Sequence, residues 1–253
     1  MTDFKILIFG TSYIADDARR DVCRWWATIH NQLNRDCDVL LVDSDSPFSP
    51  GKFLAPYGFD HVRIFDGQPI AQAHRRVISF PDNIGHLNIT GQDGWGRAMS
   101  RGFEHAILNG YDYVLYNDSD ILFTRRAREF VERMAKKNIN VSAPMDVIYW
   151  FMENGIMFAK VDYLKDIDFL AKYDWKSRPS KIDGSPRSVP EYIFEQIFGD
   201  EFWPLPARTF RNDQNNLSVE TIKNGLYYGL DALTHCADPA LYRAFLERNG
   251  IRI

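Results

Sequence analysis

The sequence predicts an α/β fold in which a mostly parallel, Rossmann-like central sheet is flanked by helices, in a single domain over residues 1–253. Short apolar runs alternate with segments of helical spacing through the first half of the chain, which is typical of buried parallel strands joined by helices. Acidic residues directly follow several of these runs. A chain of 253 residues is also long enough to bury one large core.

The strands come from apolar runs, and the helices from apolar residues three or four positions apart. The first run ends at Gly10, and the last one leads into Asp118. The predicted strands of the first half are residues 4–9, 38–43, 61–65 and 111–117, and the predicted helices are 16–34 and 98–107, the second of which stops at Asn109-Gly110.

The second half is less regular. We predict a helix over 124–137, a strand over 140–143 and a turn at 153–155 that leads into another strand. Residues 174–188 are polar and rich in Gly, Pro and Ser, so we expect a mobile loop that closes over a ligand. The last helix is bounded by Asp238 as N-cap, Pro239 at the first position and Asn249-Gly250 at its end.

Composition narrows the function classes. The net charge of −4 gives no general attraction to nucleic acid, and we read the basic clusters at 19–20, 75–76 and 125–128 as solvated helix faces. The three cysteines lack metal-ligand spacing, which favours a reducing, cytoplasmic setting. No apolar stretch is long enough to cross a bilayer, and the start lacks the features of a signal peptide. We therefore expect no transmembrane segment and at most a peripheral association with membranes.

The most informative motif is Asp118-Ser119-Asp120 at the end of the run 111–117. Side chains alternate along a strand, so we expect both carboxylates on one side, facing one divalent cation. In parallel sheets, ligands bind at the carboxyl ends of the strands. Asp43 ends one other predicted strand and Asp66 directly follows another, so the acids should converge there.

Two segments carry a resemblance to a known family. Residues 94–102 (GWGRAMSRG), followed by 110–120, resemble the helix–strand–DxD unit of the GT-A-fold nucleotide-sugar glycosyltransferases. Residues 154–158 (NGIMF) are similar to a later strand of that family. The resemblance implies a nucleotide-sugar-binding half, 1–123, and an acceptor-binding half, 124–253. Many members carry Ala-Arg-Asn where this chain has Ala98-Met99-Ser100, so the role of that arginine either falls to Arg97 or Arg101 or is missing.

The resemblance also implies site roles. Asp120 binds Mn²⁺ or Mg²⁺, Asp118 binds the metal or the donor ribose, and His235 is the candidate third ligand, although a histidine before a helix is often a capping or packing residue. The other expected contacts to the nucleotide sugar are Thr11, Ser12, Asp43, Asp66, Arg97 and Asn117, and turn formation or helix capping is the alternative for the first four.

The catalytic base is the least determined role. An inverting transfer needs a carboxylate to deprotonate the acceptor hydroxyl, and Glu191 stands at the start of a helix after the polar loop. Ser188 and Glu191 also form a capping box, which explains Glu191 without chemistry. Asp146 and Glu153 are the other candidates, and a retaining enzyme needs no such base. Three aromatic residues are candidates for an acceptor platform or for the core: Trp150, Phe151 and Trp175.

The resemblance thus implies a metal-dependent glycosyltransferase that moves a sugar from a nucleotide diphosphate sugar, with UDP favoured, to a carbohydrate or lipid-linked acceptor, as in polysaccharide biosynthesis. One alternative is a nucleotidyltransferase of related α/β fold, although residues 10–13 (GTSY) are poor in the glycine and basic residues of its phosphate loop. The other is a non-catalytic nucleotide-sugar-binding protein.

Overall fold

A computed structural model describes residues 3–84, 92–146, 155–173, 175, 194, 196–211, 218–220, 230–234 and 238–253. Within these ranges, ten strands form one sheet in the order β3-β4-β2-β1-β5-β8-β7-β9-β10-β6. The strands are β1 (Ile6–Ser12), β2 (Asp38–Asp43), β3 (Asp60–Arg63), β4 (Arg75–Ser79), β5 (Tyr113–Asn117), β6 (Leu122–Phe123), β7 (Val141–Asp146), β8 (Ile156–Lys160), β9 (Phe202–Arg211) and β10 (Leu230–Thr234).

The sheet is mostly parallel, as predicted. The five strands from β3 to β5 in the sheet order all pair in parallel. β8 runs antiparallel between β5 and β7, β7, β9 and β10 are again parallel, and β6 closes the edge antiparallel to β10. The carboxyl ends of β1, β2 and β5 therefore lie side by side at one edge of the sheet.

Helices flank this sheet. They are α1 (Asp17–Leu33), α2 (Pro50–Phe53), α3 (Gln92–Leu108), α4 (Ala127–Lys137), α5 (Val161–Asp166), α6 (Phe169–Lys172) and α7 (Pro239–Arg248), and short 3₁₀ turns occur at Ala55–Tyr57 and Gly199–Glu201. The predicted ends of α7 are confirmed, because the Asp238 side chain accepts the Ala240 N–H. Gly110, after α3, has the left-handed φ of 63° that favours glycine.

Strand alternation divides the apolar residues between two cores, one on each face of the sheet. In β1, Ile6 and Ile8 pack with α1 and α7, whereas Leu7 and Phe9 pack with α3. Successive side chains of a strand point to opposite faces, so a strand that is buried throughout must be covered twice. This explains why β1 is apolar at every position from Ile6 to Phe9.

β1 is longer than the sequence indicated. We expected the strand to end at Gly10, but it continues to Ser12, because β2 pairs with it as far as Asp43. Glycine is needed at position 10 for close approach rather than for a turn. A Cβ there would lie 2.7 Å from the Asn117 carbonyl oxygen and 3.0 Å from the Trp26 ring.

Two sequence predictions were wrong at the edge of the sheet formed by β3 and β4. The expected buried strand at 61–65 is the short edge strand β3, which is exposed along its whole length. Arg75 and Arg76 were read as a helix's solvated face, but they begin β4. Arg75 is buried and donates to the carbonyls of Cys37 and Asn34. Because these hydrogen bonds compensate its charge inside the protein, the charged residue did not indicate an exposed position here.

In the second half, α4 begins at Ala127, three residues after the predicted start at Thr124, and β9 and β10 were not predicted. The expected loop at 174–188 falls outside the described residues except for Trp175. Among the helices that the structure describes, none has both the length and the apolar character needed to span a bilayer.

Candidate active site

A cavity of about 470 Å³ opens at the carboxyl ends of β1 and β5. Ligand pockets commonly occupy about 300–1,000 Å³, so its size suits a small molecule. Both carboxylates of the DxD motif border it. The lining residues are Thr11, Ser12, Tyr13, Ile14, Arg19, Ser44, Asn83, Gly94, Trp95, Asp118, Ser119 and Asp120.

A turn, and not strand alternation, brings the two carboxylates together. β5 ends at Asn117, and the Ile121 N–H donates to the Asp118 carbonyl at 3.0 Å, which closes a tight turn. The Asp118 N–H donates to the Gly155 carbonyl at 2.8 Å. The Tyr242 hydroxyl donates to the Asp120 carbonyl at 2.9 Å. Both acids border the cavity, as we expected, but the cause is this turn and not the alternation of side chains along a strand.

Three groups fix the orientation of the Asp118 carboxylate. The Thr11 hydroxyl donates to Oδ1 at 2.6 Å, and the Ser119 N–H donates to the same oxygen at 2.9 Å. The Trp95 indole N–H lies 3.2 Å from Oδ2 and 2.7 Å from the Tyr116 hydroxyl oxygen. Asp118 is thus held in place by residues of β1, α3 and its own turn.

The electrostatics of this turn favour a cation. Burial and the negative charge of Asp120 together raise the pKa of Asp118 to about 6, although hydrogen bonds from Thr11, Tyr116 and Ser119 oppose the rise. Two neighbouring carboxylates in a partly buried site repel each other, and a divalent cation between them removes that repulsion.

The ligand set fits a metal that also binds its substrate. Within the ranges that the structure describes, no three or more His, Cys, Asp or Glu side chains gather as a metal site. Mg²⁺ is commonly held by one or two carboxylates, with waters and substrate phosphates completing the shell. The pair Asp118 and Asp120 matches that pattern, and the cavity beside it leaves room for a phosphate group.

Asp43 lies at the same edge of the sheet but in a different environment. Its side chain is only 1% exposed. The Ser12 hydroxyl donates to Oδ1 at 2.9 Å, the Ser46 N–H to Oδ2 at 3.1 Å and the Ser79 hydroxyl to Oδ2 at 3.2 Å, and the Ser46 hydroxyl also donates to Oδ1. Burial raises the pKa of Asp43, and these hydrogen bonds oppose the rise.

Asp66 and the two arginines lie apart from the DxD turn. Asp66 lines a separate cavity of about 300 Å³ together with Arg101. Arg97 is buried, sits 3.9 Å above the Phe80 ring and donates to the Asp82 carboxylate at 3.2 Å. One Arg97 nitrogen also lies 3.9 Å from an Asp66 carboxylate oxygen. Arg101 donates to Glu104 and to the Gln68 carbonyl.

The remaining predicted residues are placed as follows. Asn117 is fully buried at the end of β5, and its amide donates to the Ile121 carbonyl at 3.0 Å. Asp146 ends β7, and only its backbone is described. Three other candidates lie outside the described residues: Glu153, Glu191 and His235. So do Trp150, Phe151 and the predicted loop at 174–188 apart from Trp175. Trp175 lines the cavity beside Asp66.

Sequence reasoning missed two residues that hold Asp118. Tyr116 precedes it by two positions, so strand alternation could have placed the phenol beneath the carboxylate. Burial and the charge of Asp118 raise the pKa of Tyr116, which keeps the hydroxyl protonated as a donor. Trp95 stands in the first turns of α3, and nothing in the local pattern separated it from a core residue.

The fold of this chain is similar to those of several solved glycosyltransferase structures. The bifunctional glycosyltransferase WbbM, in its apo form, matches with a TM-score of 0.58 at 12% identity over 97% of this chain and 49% of its own. An active-site mutant of LgtC matches with a TM-score of 0.52 at 15% identity, over 97% and 95%. TarS of S. aureus matches with a TM-score of 0.51 at 10% identity, over 96% and 39%.

The chain therefore spans about half of the WbbM chain and less than half of the TarS chain. No protein-family model matches the sequence, and no curated protein sequence does so either. The order of strands, the helices on both faces and these structural matches together confirm the predicted fold: the chain has the GT-A-like fold of glycosyltransferases.

Proposed function

We propose that this protein is a metal-dependent glycosyltransferase that takes a sugar from a nucleotide diphosphate sugar, with UDP favoured, and transfers it to a carbohydrate or lipid-linked acceptor. One observation carries the proposal. In a glycosyltransferase fold, the turn of Asp118 and Asp120 borders a cavity of about 470 Å³ at the carboxyl ends of β1 and β5. Ligands of open parallel sheets bind at such ends.

Asp118 and Asp120 would hold Mn²⁺ or Mg²⁺, whose hard character suits carboxylate oxygens. When bound, the ion stabilises the negative charge that develops on the leaving diphosphate as the glycosidic bond breaks. Thr11 and Trp95 support this role because they leave the Asp118 carboxylate little freedom to turn. A fixed ligand does not need to reorganise during the reaction.

Other chain residues supply the donor contacts in this proposal. Ser12 and Ser44 present polar groups to the cavity, and Arg19 brings a positive side chain to its wall. Tyr13 also lines the cavity and is 47% exposed, so its ring offers a flat surface to a nucleobase. A guanidinium and an aromatic ring that line the same cavity match the two parts of a nucleoside diphosphate, one anionic and one flat.

The test measures nucleotide release from a panel of UDP-, GDP-, ADP- and CMP-sugars, each with Mn²⁺, with Mg²⁺ and with a chelator. We expect slow hydrolysis of one UDP-sugar, lost on chelation, since transferases commonly pass the sugar to water when no acceptor is present. Stereochemistry and the base candidates Glu191, Asp146 and Glu153 are then addressed with the acceptor found for that donor.

The same assay separates the alternatives. Release of pyrophosphate from a nucleoside triphosphate, without hydrolysis of any nucleotide sugar, would replace the proposal with a nucleotidyltransferase. Calorimetric binding of a nucleotide sugar with no turnover, in the presence of a broad acceptor mixture, would favour a non-catalytic binding protein. Absence of both binding and turnover for every nucleotide would refute the proposal.

A further inference from the structure

The turn that carries Asp118 and Asp120 is held from behind by Asn117. The Asn117 Nδ2 group donates to the Ile121 carbonyl at 3.0 Å and lies 3.3 Å from the Asp118 carbonyl oxygen. Two carbonyl oxygens on this side leave one orientation for the amide, because its own oxygen would be repelled there. The Asn117 Oδ1 atom therefore points away from the turn, toward the interior.

Helix α1 lies behind Asn117 with two polar side chains one turn apart. The Trp26 indole N–H donates to the Asn117 backbone carbonyl at 3.0 Å. His30, four residues later, is fully buried, and its ring centre lies 4.5 Å from that of Trp26. Residues four apart in a helix share a face, so both side chains point at the same end of β5.

The protonation of His30 follows from its neighbour. The Asn34 Oδ1 atom accepts the Ala127 N–H at 2.8 Å, which turns the Asn34 Nδ2 group toward the His30 ring. That group lies 3.1 Å from His30 Nδ1. Nδ1 must therefore accept, and a neutral ring then carries its proton on Nε2. Burial and, to a smaller extent, the Arg75 charge lower the pKa of His30 to about 3, against an opposing contribution from the nearby Asn117 side chain.

A complementary pair of buried atoms is left over. In the part of the chain that the structure describes, the Nε2 atom of His30 and the Oδ1 atom of Asn117 are both buried and without a satisfying hydrogen-bond partner. One is a donor and the other an acceptor. Leaving both unpaired would cost about 1–3 kcal/mol for each atom, so the pairing is strongly favoured.

We propose that His30 is a positioning residue for the turn of Asp118 and Asp120, because its Nε2–H donates to Asn117 Oδ1 and so keeps the Asn117 Nδ2 group on the Ile121 carbonyl. A continuous chain of hydrogen bonds then joins the start of α4 to the turn: Ala127 N–H to Asn34, Asn34 to His30, His30 to Asn117, and Asn117 to Ile121. The importance of this chain for metal binding rests on the proposed function, whereas its effect on the turn does not.

Two substitutions of similar polarity separate the contacts of the two ring nitrogens. His30→Gln places an amide group near the former Nε2 position and can still reach Asn117. His30→Asn is shorter, keeps the contact with Asn34 and cannot reach Asn117. His30→Asn leaves the larger space in the core, so the packing loss of each variant is measured separately as its unfolding free energy. Circular dichroism at increasing temperature establishes that each is folded under the conditions of measurement.

The first readout is NMR of ¹⁵N-labelled protein without metal or nucleotide. We expect the His30 ring of the wild type to be the Nε2–H tautomer at neutral pH. We expect His30→Asn to shift the backbone amide signals of 118–121, and His30→Gln to leave them close to the wild type. A ring protonated at Nδ1 would overturn the proposal, and so would equal shifts, or no shifts, in the two variants.

The second readout is the affinity for Mn²⁺ in the presence of UDP, measured by calorimetry. Residues that orient metal ligands typically change affinity by about 10–100-fold, which we expect for His30→Asn, with rescue by His30→Gln. If the wild type binds neither Mn²⁺ nor UDP, the proposed function fails, and the amide signals still decide the positioning role. If the wild type binds and both variants bind equally well, the positioning role fails alone.

Discussion

Asp118 and Asp43 both stand at the carboxyl edge of the sheet, where β5 and β2 end on either side of β1, yet the structure gives them opposite surroundings. Asp43 is 1% exposed and receives hydrogen bonds from three serines that belong to β1, β4 and the loop after β2. Asp118 borders a cavity and has a second carboxylate, Asp120, as its neighbour. The same residue type at equivalent strand ends therefore has two different consequences.

The difference lies in what compensates the charge. Around Asp43 the protein supplies enough N–H and O–H groups to occupy both oxygens, so this carboxylate ties three strands together. Asp118 also receives hydrogen bonds at both oxygens, from Thr11, Ser119 and Trp95, but the negative charge of Asp120 beside it adds a repulsion that raises its pKa. A site of this second kind is where an external cation binds favourably, whereas a site of the first kind stabilises the fold.

The largest expected effect is loss of metal-dependent binding in Asp120→Ala. Removing one of two carboxylate ligands should weaken Mn²⁺-dependent UDP binding by about 100-fold or more, since even residues that only orient ligands cost about 10–100-fold. Asp120 is exposed, so the free energy of unfolding should change by less than about 0.5 kcal/mol. Isothermal titration with UDP and Mn²⁺ measures the first quantity, and urea unfolding measures the second.

Asp166→Ala is the matched control, because it removes an exposed acid from α5, away from the cavity. It should leave both quantities at their wild-type values. Calorimetric binding of UDP and Mn²⁺ by Asp120→Ala equal to that of the wild type would remove the metal assignment from this turn.

Asp43→Ala should show the reverse pattern, with a large loss of stability. The hydroxyls of Ser12, Ser46 and Ser79 would lose their buried acceptor, which should lower the free energy of unfolding by about 3 kcal/mol. Asp43→Asn keeps one acceptor oxygen and should lose less. Urea unfolding of both variants checks this order. UDP binding by folded Asp43→Asn tests its predicted donor contact, and binding equal to that of the wild type would leave Asp43 with a stabilising role alone.

Much of the fold could be predicted because the relevant signals are local. The apolar run at Ile6–Phe9 and the capped helix at Pro239–Arg248 depend on neighbours in sequence, and both are present. β4 was missed because it begins with Arg75, whose charge is satisfied by carbonyls from distant parts of the chain. No short-range pattern reveals such partners.

The candidate site, like the fold, could be predicted only where its signals are local in the sequence. The DxD motif directly after an apolar run is visible in the sequence, but the difference between Asp43 and Asp118 depends on which residues the fold brings beside each. Ser79 lies 36 positions from Asp43, and Trp95 lies 23 positions from Asp118. Their convergence follows from the crossovers between strands, which composition and periodicity do not specify.

A smaller effect is expected at Gly10 in β1, the strand that lies between β2, which ends at Asp43, and β5, which leads into Asp118. In Gly10→Ala the new methyl group would meet the Asn117 carbonyl oxygen at 2.7 Å, and backbone cannot move aside easily. We expect a loss of about 2 kcal/mol in unfolding free energy and a shift of the amide signals of 118–121. Gly67→Ala is the control, because no atom lies within 4 Å there and only its φ of 78° causes strain. Unshifted signals in Gly10→Ala would show that the turn does not depend on this contact.

The smallest effect is a pH dependence of stability that originates behind the turn. The pKa of His30 is lowered from 6.5 to about 3 in the folded protein, chiefly by burial. The unfolded chain therefore binds a proton below pH 6.5 that the folded chain does not bind. The stabilising contribution of neutral His30 is complete above pH 6.5 and is lost progressively as the pH falls toward 3.

At pH 5.5, one unit below the unfolded pKa, this proton should cost about 1.4 kcal/mol of unfolding free energy. Asp118 acts in the opposite direction, because its raised pKa of about 6 favours proton uptake by the folded state. Comparing wild type with His30→Gln removes that contribution, since both proteins contain Asp118. Urea unfolding measured from about pH 7.5 down to about pH 5.5 should show a steeper decline of the unfolding free energy in the wild type than in the variant. Parallel declines would mean that His30 is protonated in the folded protein, and the hydrogen-bonded chain from Asn34 to Asn117 would then need a different proton arrangement.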